Sequence, residues 1–193
     1  FFVLGAAMDS PGAPRDIHAE LFRANAIENY DTAALRCRAG ENTEIYFFVS
    51  HAVPRVRGPL FRYEFENGVV SFDDHVGDGV VARLKDGKIL KYGTASSGIG
   101  KLWMTIDAIR KGQPVACSIE TAATQTIVMA AAQQSEIVDF PRSLVQTVDH
   151  KGSKLRVVEG LEETLYRGYR EHKLPSELGV AWAVHKEPAT TGR

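Results

Sequence analysis

Leu60-Phe61-Arg62-Tyr63-Glu64-Phe65-Glu66, then Asn67-Gly68, then Val69-Val70-Ser71-Phe72-Asp73: this stretch decides the fold class. Its first run alternates, with Phe61, Tyr63 and Phe65 on one side and Arg62, Glu64 and Glu66 on the other. Successive side chains of a strand point to opposite faces, so the run reads as a strand with one apolar face. Asn-Gly tolerates the positive φ angles of a type I′ turn, which sends the chain back antiparallel to itself. The same grammar recurs on both sides. Residues 32–39 and 44–51 flank Gly40-Glu41-Asn42-Thr43, and residues 80–85 and 88–92 flank Asp86-Gly87. A further strand is predicted over residues 17–26. Three successive hairpin signals predict an antiparallel meander, not the strand–helix alternation of nucleotide-binding sheets.

Working outward, residues 44–51 carry Ile45, Phe47 and Val49 on one face and Tyr46 and Phe48 on the other. A strand with two apolar faces is covered on both sides. Helices account for one face; the other calls for a ligand, a second domain or a second subunit. The later chain turns helical. Ile99, Leu102, Trp103, Ile106 and Ile109 form a one-sided stripe ending at Gly112 and Pro114. Ser118 reads as the N-cap of a second helix, with Glu120 in its first turn. Ile119, Ala122, Ala123, Thr126, Ile127 and Ala130 are its predicted packing stripe. A short strand near residues 155–158 precedes a third helix over about residues 160–172, aligning Leu161, Leu165 and Tyr169. Strands first and helices later define an α+β fold: one large, mainly antiparallel open sheet with helices packed on one face. The 193 residues suit a single domain over 1–193.

Composition narrows the function. Hydrophobic residues at 44% and charged residues at 24% are ordinary for a globular protein. With 23 Lys+Arg against 24 Asp+Glu there is no general field to attract nucleic acid or anionic membrane, and neither is expected as a partner. No apolar run approaches the roughly 20 residues that span a bilayer. Cys37 and Cys117 are too few for a disulfide framework and read as small buried hydrophobes, in keeping with a cytoplasmic location. The opening Phe1-Phe2-Val3-Leu4-Gly5 reads as the last turn of a buried helix stopped by Gly5, with the rest of that helix expected upstream.

Standard chemical motifs fail. Gly98-Ile99-Gly100-Lys101-Leu102-Trp103 starts like a dinucleotide fingerprint but has Trp103 where the third glycine belongs, and closes no strand–helix–strand unit. The six histidines show no metal-ligand spacing. What remains is a polar cluster at strand ends: Arg23, Asn25, Glu28, Asn29, Tyr30, Asp31 and Thr32, with Ser50-His51 and Arg62. Polar groups beside apolar walls are the usual material of a small-molecule site. Asp31 or His51 has the chemistry of a proton carrier, and Arg23 or Arg62 that of a clamp for an acidic or hydroxylated ligand. Turn chemistry equally explains Asn29 and Asp31, an opposite-charge ladder explains Arg62 with Glu64, and a structural hydrogen bond explains His51.

Ala19-Glu20-Leu21-Phe22-Arg23-Ala24-Asn25, followed by Ile27-Glu28-Asn29-Tyr30-Asp31-Thr32-Ala33, resembles the opening strands of Gfo/Idh/MocA C-terminal domains. Phe61-Arg62-Tyr63-Glu64-Phe65-Glu66 and Pro114-Val115-Ala116-Cys117-Ser118-Ile119-Glu120-Thr121-Ala122 are similar to later segments of its sugar-active members. Phe2-Val3-Leu4-Gly5 resembles the end of the helix linking the family's two domains. The resemblance spans nearly the whole chain as a diffuse pattern. It implies a substrate-side and oligomerisation domain whose N-terminal Rossmann domain is missing from this chain. NAD or NADP would lie on that missing domain, with none bound by this chain alone. A sugar, polyol or related small-molecule substrate would sit against the sheet, and copies of the protein would associate through the sheet's outer face. The family's Glu-Lys-Pro motif is absent, since Lys186-Glu187-Pro188 has the wrong order, and its Asp/His motif would fall upstream of Phe1. No catalytic or cofactor-binding residue is therefore assigned; Arg23, Asn29, Asp31, His51 and Arg62 are the substrate-binding candidates. Two alternatives remain open: a nicotinamide-dependent glycosidase of the same family, and a non-catalytic binding or oligomerisation module.

Overall fold

The computed structural model describes residues 1–7, 9–73, 77–94, 98–115, 117–150 and 152–183, with the backbone alone for His150. Lys186-Glu187-Pro188 lies outside the described residues. The chain divides into two compact units: Phe1–Pro54 with Ala116–Arg193, and Arg55–Val115.

The first unit is built on the strands β1 (Arg15–Arg23), β2 (Thr32–Ala39) and β3 (Thr43–Ser50). β1–β2 and β2–β3 are antiparallel, as the hairpin signals predict. Numbered along the whole chain, β8 (Ile137–Asp139) adds to the free side of β1 in parallel, giving the order β3-β2-β1-β8. A separate hairpin pairs β9 (Val145–His150) with β10 (Ser153–Val158), of which only residues 155–158 were foreseen. The helices α2 (Ile119–Ala132) and α3 (Leu161–Glu171) complete the unit.

The α+β class stands, with antiparallel sheets and helices beside them. The helices of this unit divide between the two faces of its sheet. Leu35, Cys37 and Ile45 pack with Val128 and Ala132 of α2. Phe22 and Phe48, on the opposite parity, pack with Leu161 and Leu165 of α3 and with Phe140, Val158 and Trp182. Gly168 lets α3 approach β3: a Cβ there would lie 2.9 Å from the Phe48 ring and 2.6 Å from the Lys173 carbonyl oxygen. Burial of a side chain such as Leu161 contributes about 1.5–3 kcal/mol. The two-faced apolar strand is thus explained in part. Tyr46 and Phe48 share the α3 side, whereas Phe47 is 51% exposed on the other.

Helix α2 begins where Ser118 predicts, its hydroxyl accepting from the Thr121 amide at 3.3 Å. Its buried face is a correction. Thr121, Thr124, Val128 and Ala132 face inward, while Ile119 and Ile127 of the predicted stripe are 86% and 55% exposed. The segment is apolar almost all round, so periodicity alone leaves the phase of the helix undefined. Leu161 and Leu165 of α3 are buried as expected. Cys37 is buried but Cys117 is exposed. The opening residues form a short 3₁₀ turn (Phe2–Leu4), and Gly5 is extended at φ −79° rather than a left-handed helix stop. Gly5 is required there by proximity, because a Cβ would lie 2.2 Å from the Ser10 carbonyl oxygen.

The second unit is an antiparallel meander, β4 (Leu60–Phe65), β5 (Gly68–Asp73), β6 (Val80–Leu84) and β7 (Ile89–Lys91), followed by α1 (Ile99–Lys111). The β4–β5 and β6–β7 hairpins were foreseen, but one turn is shifted. Phe65 pairs with Gly68, so Glu66 and Asn67 form the connection and Gly68 already belongs to β5. Neither Asn67 nor Gly68 has positive φ, so this is not the type I′ turn of the sequence reading. Gly68 serves instead for close approach, since a Cβ would meet the Arg83 carbonyl oxygen at 2.5 Å. At the second hairpin Gly87 does take φ +89°, and the Asp86 carboxylate accepts from the Lys88 amide at 2.9 Å. α1 stops at Gly112 in the left-handed region, yet none of its residues is buried.

Candidate functional site

The site is set by how β1 ends. Its ladder with β2 runs out at Phe22–Thr32, where Asp31 captures the departing chain. The Asp31 carboxylate accepts from the amides of Ala24 (3.0 Å) and Asn25 (2.8 Å), from the Asn25 side-chain amide (2.8 Å) and from the Thr32 hydroxyl (3.2 Å). Buried amides left without acceptors are costly, so this one carboxylate fixes the turn over residues 24–31. The Asp31 carbonyl in turn receives the His51 amide at 2.9 Å.

The parallel register places Arg23 beside Asp139 at the ends of β1 and β8. Arg23 Nε donates to Asp139 at 2.7 Å, and its Nη1 donates to the carbonyls of Ile27 (3.1 Å) and Glu28 (3.0 Å). The hydrogen bond to Asp139 holds the Arg23 guanidinium above its usual range and the Asp139 carboxyl below its own. From β10, paired opposite Thr147 of β9, Arg156 donates to the Ala24 carbonyl at 3.0 Å.

These elements enclose an open cleft of about 670 Å³ within the first unit. Arg23, Arg142 and Arg156 bring three guanidiniums to its lining, against the one carboxylate of Asp139; Asn25 and Thr147 add neutral polar groups. Ile27, Phe140 and Val145 supply apolar wall. Phe140 is rigidly backed by Phe22 and Trp182, at ring-centroid distances of 5.4 and 5.1 Å. The lining offers fixed donors suited to orienting a polar group, and none of its residues is a nucleophile paired with a base.

Of the five candidates read from sequence, Arg23 lines this cleft. Asp31 lies behind it, its oxygens committed to the turn. Asn29 is an exposed turn residue whose side-chain oxygen accepts from the Tyr30 amide at 2.9 Å. His51 is exposed and does not line the cleft. Arg62 belongs to the second unit and pairs with Glu64 at 2.7 Å. Sequence reasoning missed Arg142, Arg156 and Asp139. Asp139-Phe140-Pro141-Arg142 closing a short apolar run was the available signal, but its partners come from β1 and β10, far off in sequence. Among the described residues no group of three or more His, Cys, Asp and Glu is arranged to hold a metal ion. No helix among them is long and apolar enough to cross a membrane.

No protein-family model matches the chain, and no curated protein matches it. Among solved structures, two crystal forms of UDP-N-acetylglucosamine 3-dehydrogenase GnnA from Acidithiobacillus ferrooxidans are similar, each with a TM-score of 0.51 and 19% identity. The similarity covers 64% of this chain and 39% of the enzyme's chain. At that identity the likeness is one of fold, and the matched region is well under half of the dehydrogenase.

Proposed function

We propose that this chain is the substrate-side portion of a nicotinamide-dependent oxidoreductase of the Gfo/Idh/MocA type, acting on a sugar, polyol or related carbinol. The observation that carries this reading is the fold likeness to a sugar-nucleotide dehydrogenase of that family. The cleft at the end of β1 supports a substrate-side role, because polar substrates are oriented by fixed polar groups beside an apolar wall. The described residues offer no cradle for a dinucleotide. The glycine pair at Gly98 and Gly100 opens α1, which follows an antiparallel meander and has Trp103 in place of the third glycine. NAD or NADP therefore belongs, in this proposal, to a separate Rossmann domain, and this chain's contribution is to bind and orient the substrate. The exposed Phe47 and Val49 of β3 support association between copies through that face.

The test is to supply the full-length protein with NAD or NADP and a panel of sugars, polyols and nucleotide sugars, following the absorbance of reduced nicotinamide. Substrate-dependent reduction is the expected result. Glycoside cleavage with no net change in cofactor would shift the reading to a glycosidase of the same family. Tight binding with no turnover of any panel member would leave a non-catalytic module.

A further inference from the structure

The cleft lining has many more donors than acceptors. A guanidinium carries five N–H donors and no acceptor. Arg23 directs its Nε and Nη1 to Asp139 and two carbonyls, which leaves Asp139 already neutralised. Arg156 directs Nη1 to Ala24 and keeps its remaining donors. Arg142, just past β8, has Asp139 as its acidic neighbour, and that carboxylate is already engaged by Arg23. Three guanidiniums against one carboxylate leave an excess of positive charge in the lining of a chain whose net charge is −1. The positive field is a property of this place, not of the molecule. Arg23 and Arg156 are held by backbone carbonyls, and the Ala24 carbonyl belongs to the turn that Asp31 fixes. Their geometry is set before any ligand arrives, and the apolar wall of Ile27, Phe140 and Val145 strengthens their field.

A neutral polyol needs acceptors as well as donors, and this lining is short of acceptors. A phosphoryl or carboxylate group is acceptor-only and matches guanidinium forks. We propose that the cleft holds the oxyanion of its ligand, with Arg142 and Arg156 as the contact residues and Arg23 as the residue that positions the wall beside them. The inference rests on the substrate-side reading above and narrows the substrate to one carrying a phosphoryl or carboxylate group.

Isothermal titration calorimetry on the protein at low salt, without nicotinamide, tests it with inorganic phosphate, glucose 6-phosphate, glucuronate and glucose as probes. At least one anionic probe should bind about tenfold or more tighter than glucose, the difference expected for charge-assisted hydrogen bonds. The ranking of glucose 6-phosphate against glucuronate then separates phosphoryl from carboxylate. Arg142→Gln, at an exposed side chain whose acidic neighbour Asp139 keeps its hydrogen bond from Arg23, should weaken that probe about tenfold with an unchanged melting temperature. Arg156→Gln should weaken it similarly, and Arg170→Gln, the same charge change on the exposed side of α3, should not. The proposal is overturned if no anion binds more tightly than glucose, or if Arg170→Gln weakens binding as much as Arg142→Gln does. Turnover plays no part in this readout, so failure here leaves the oxidoreductase reading intact, and failure of turnover leaves this result intact.

Discussion

Asp31 is the residue on which the cleft depends without lining it. Two backbone amides, a side-chain amide and a hydroxyl converge on its carboxylate, and the residue is 6% exposed. Turn chemistry, foreseen as the plain alternative to a proton carrier, is the role its contacts describe. Removing the acceptor strands donors in a place that water reaches poorly, which costs far more than one average hydrogen bond. Asp31→Ala should therefore lower the unfolding free energy by about 3 kcal/mol in urea titration. A change below about 0.5 kcal/mol would show that the turn is held by something else. The residue type and its place beside Asn25 were legible in the sequence. The convergence was not, because a carboxylate in a turn and a carboxylate in a site look alike until their partners are known.

At the scale of the element, strands were easier to read than helix faces. Alternation along β4 and the Asp86-Gly87 signal located hairpins because a strand has only two faces and a tight turn demands particular residues. α2 exposed the weakness of the same method. Its Ala-rich sequence is apolar on several sides, and the sheet selected the face with Thr121, Thr124, Val128 and Ala132, leaving Ile119 and Ile127 outside. The two phases make opposite predictions for neighbouring residues. Val128→Ala should cost about 2 kcal/mol through lost burial and a residual cavity, whereas Ile127→Ala should stay within about 0.5 kcal/mol. Thermal or urea unfolding of the two variants measures both, and equal losses would contradict the buried face described here.

For the molecule as a whole, long-range ties decide where the last segments lie. Glu177, beyond α3, reaches Arg36 on β2 at 2.6 Å and accepts from the Leu174 amide at 2.8 Å, while Ser176 donates to Glu20 on β1. Burial opposes charge on Glu177, but the Leu174 amide and Arg36 outweigh it, and its carboxyl lies below the usual range. A carboxyl depressed in the folded state leaves the unfolded state holding more protons as the pH falls. Its contribution is complete above the ordinary carboxylate range and is lost as the pH drops through the depressed value. Glu177→Gln should accordingly flatten the acid side of the stability–pH curve relative to the parent, read by urea unfolding from neutral to acidic pH; parallel curves would sink this assignment. The α+β class, the positions of the β2–β3, β4–β5 and β6–β7 hairpins and the N-cap at Ser118 were determined by sequence alone, because turns, caps and alternation are local and limited by backbone sterics. The tertiary structure decided the division into two units, the parallel pairing of β8 with β1, the buried face of α2 and the meeting of Arg23, Arg142 and Arg156. Each of these depends on which distant segments share space, and local periodicity carries no record of that.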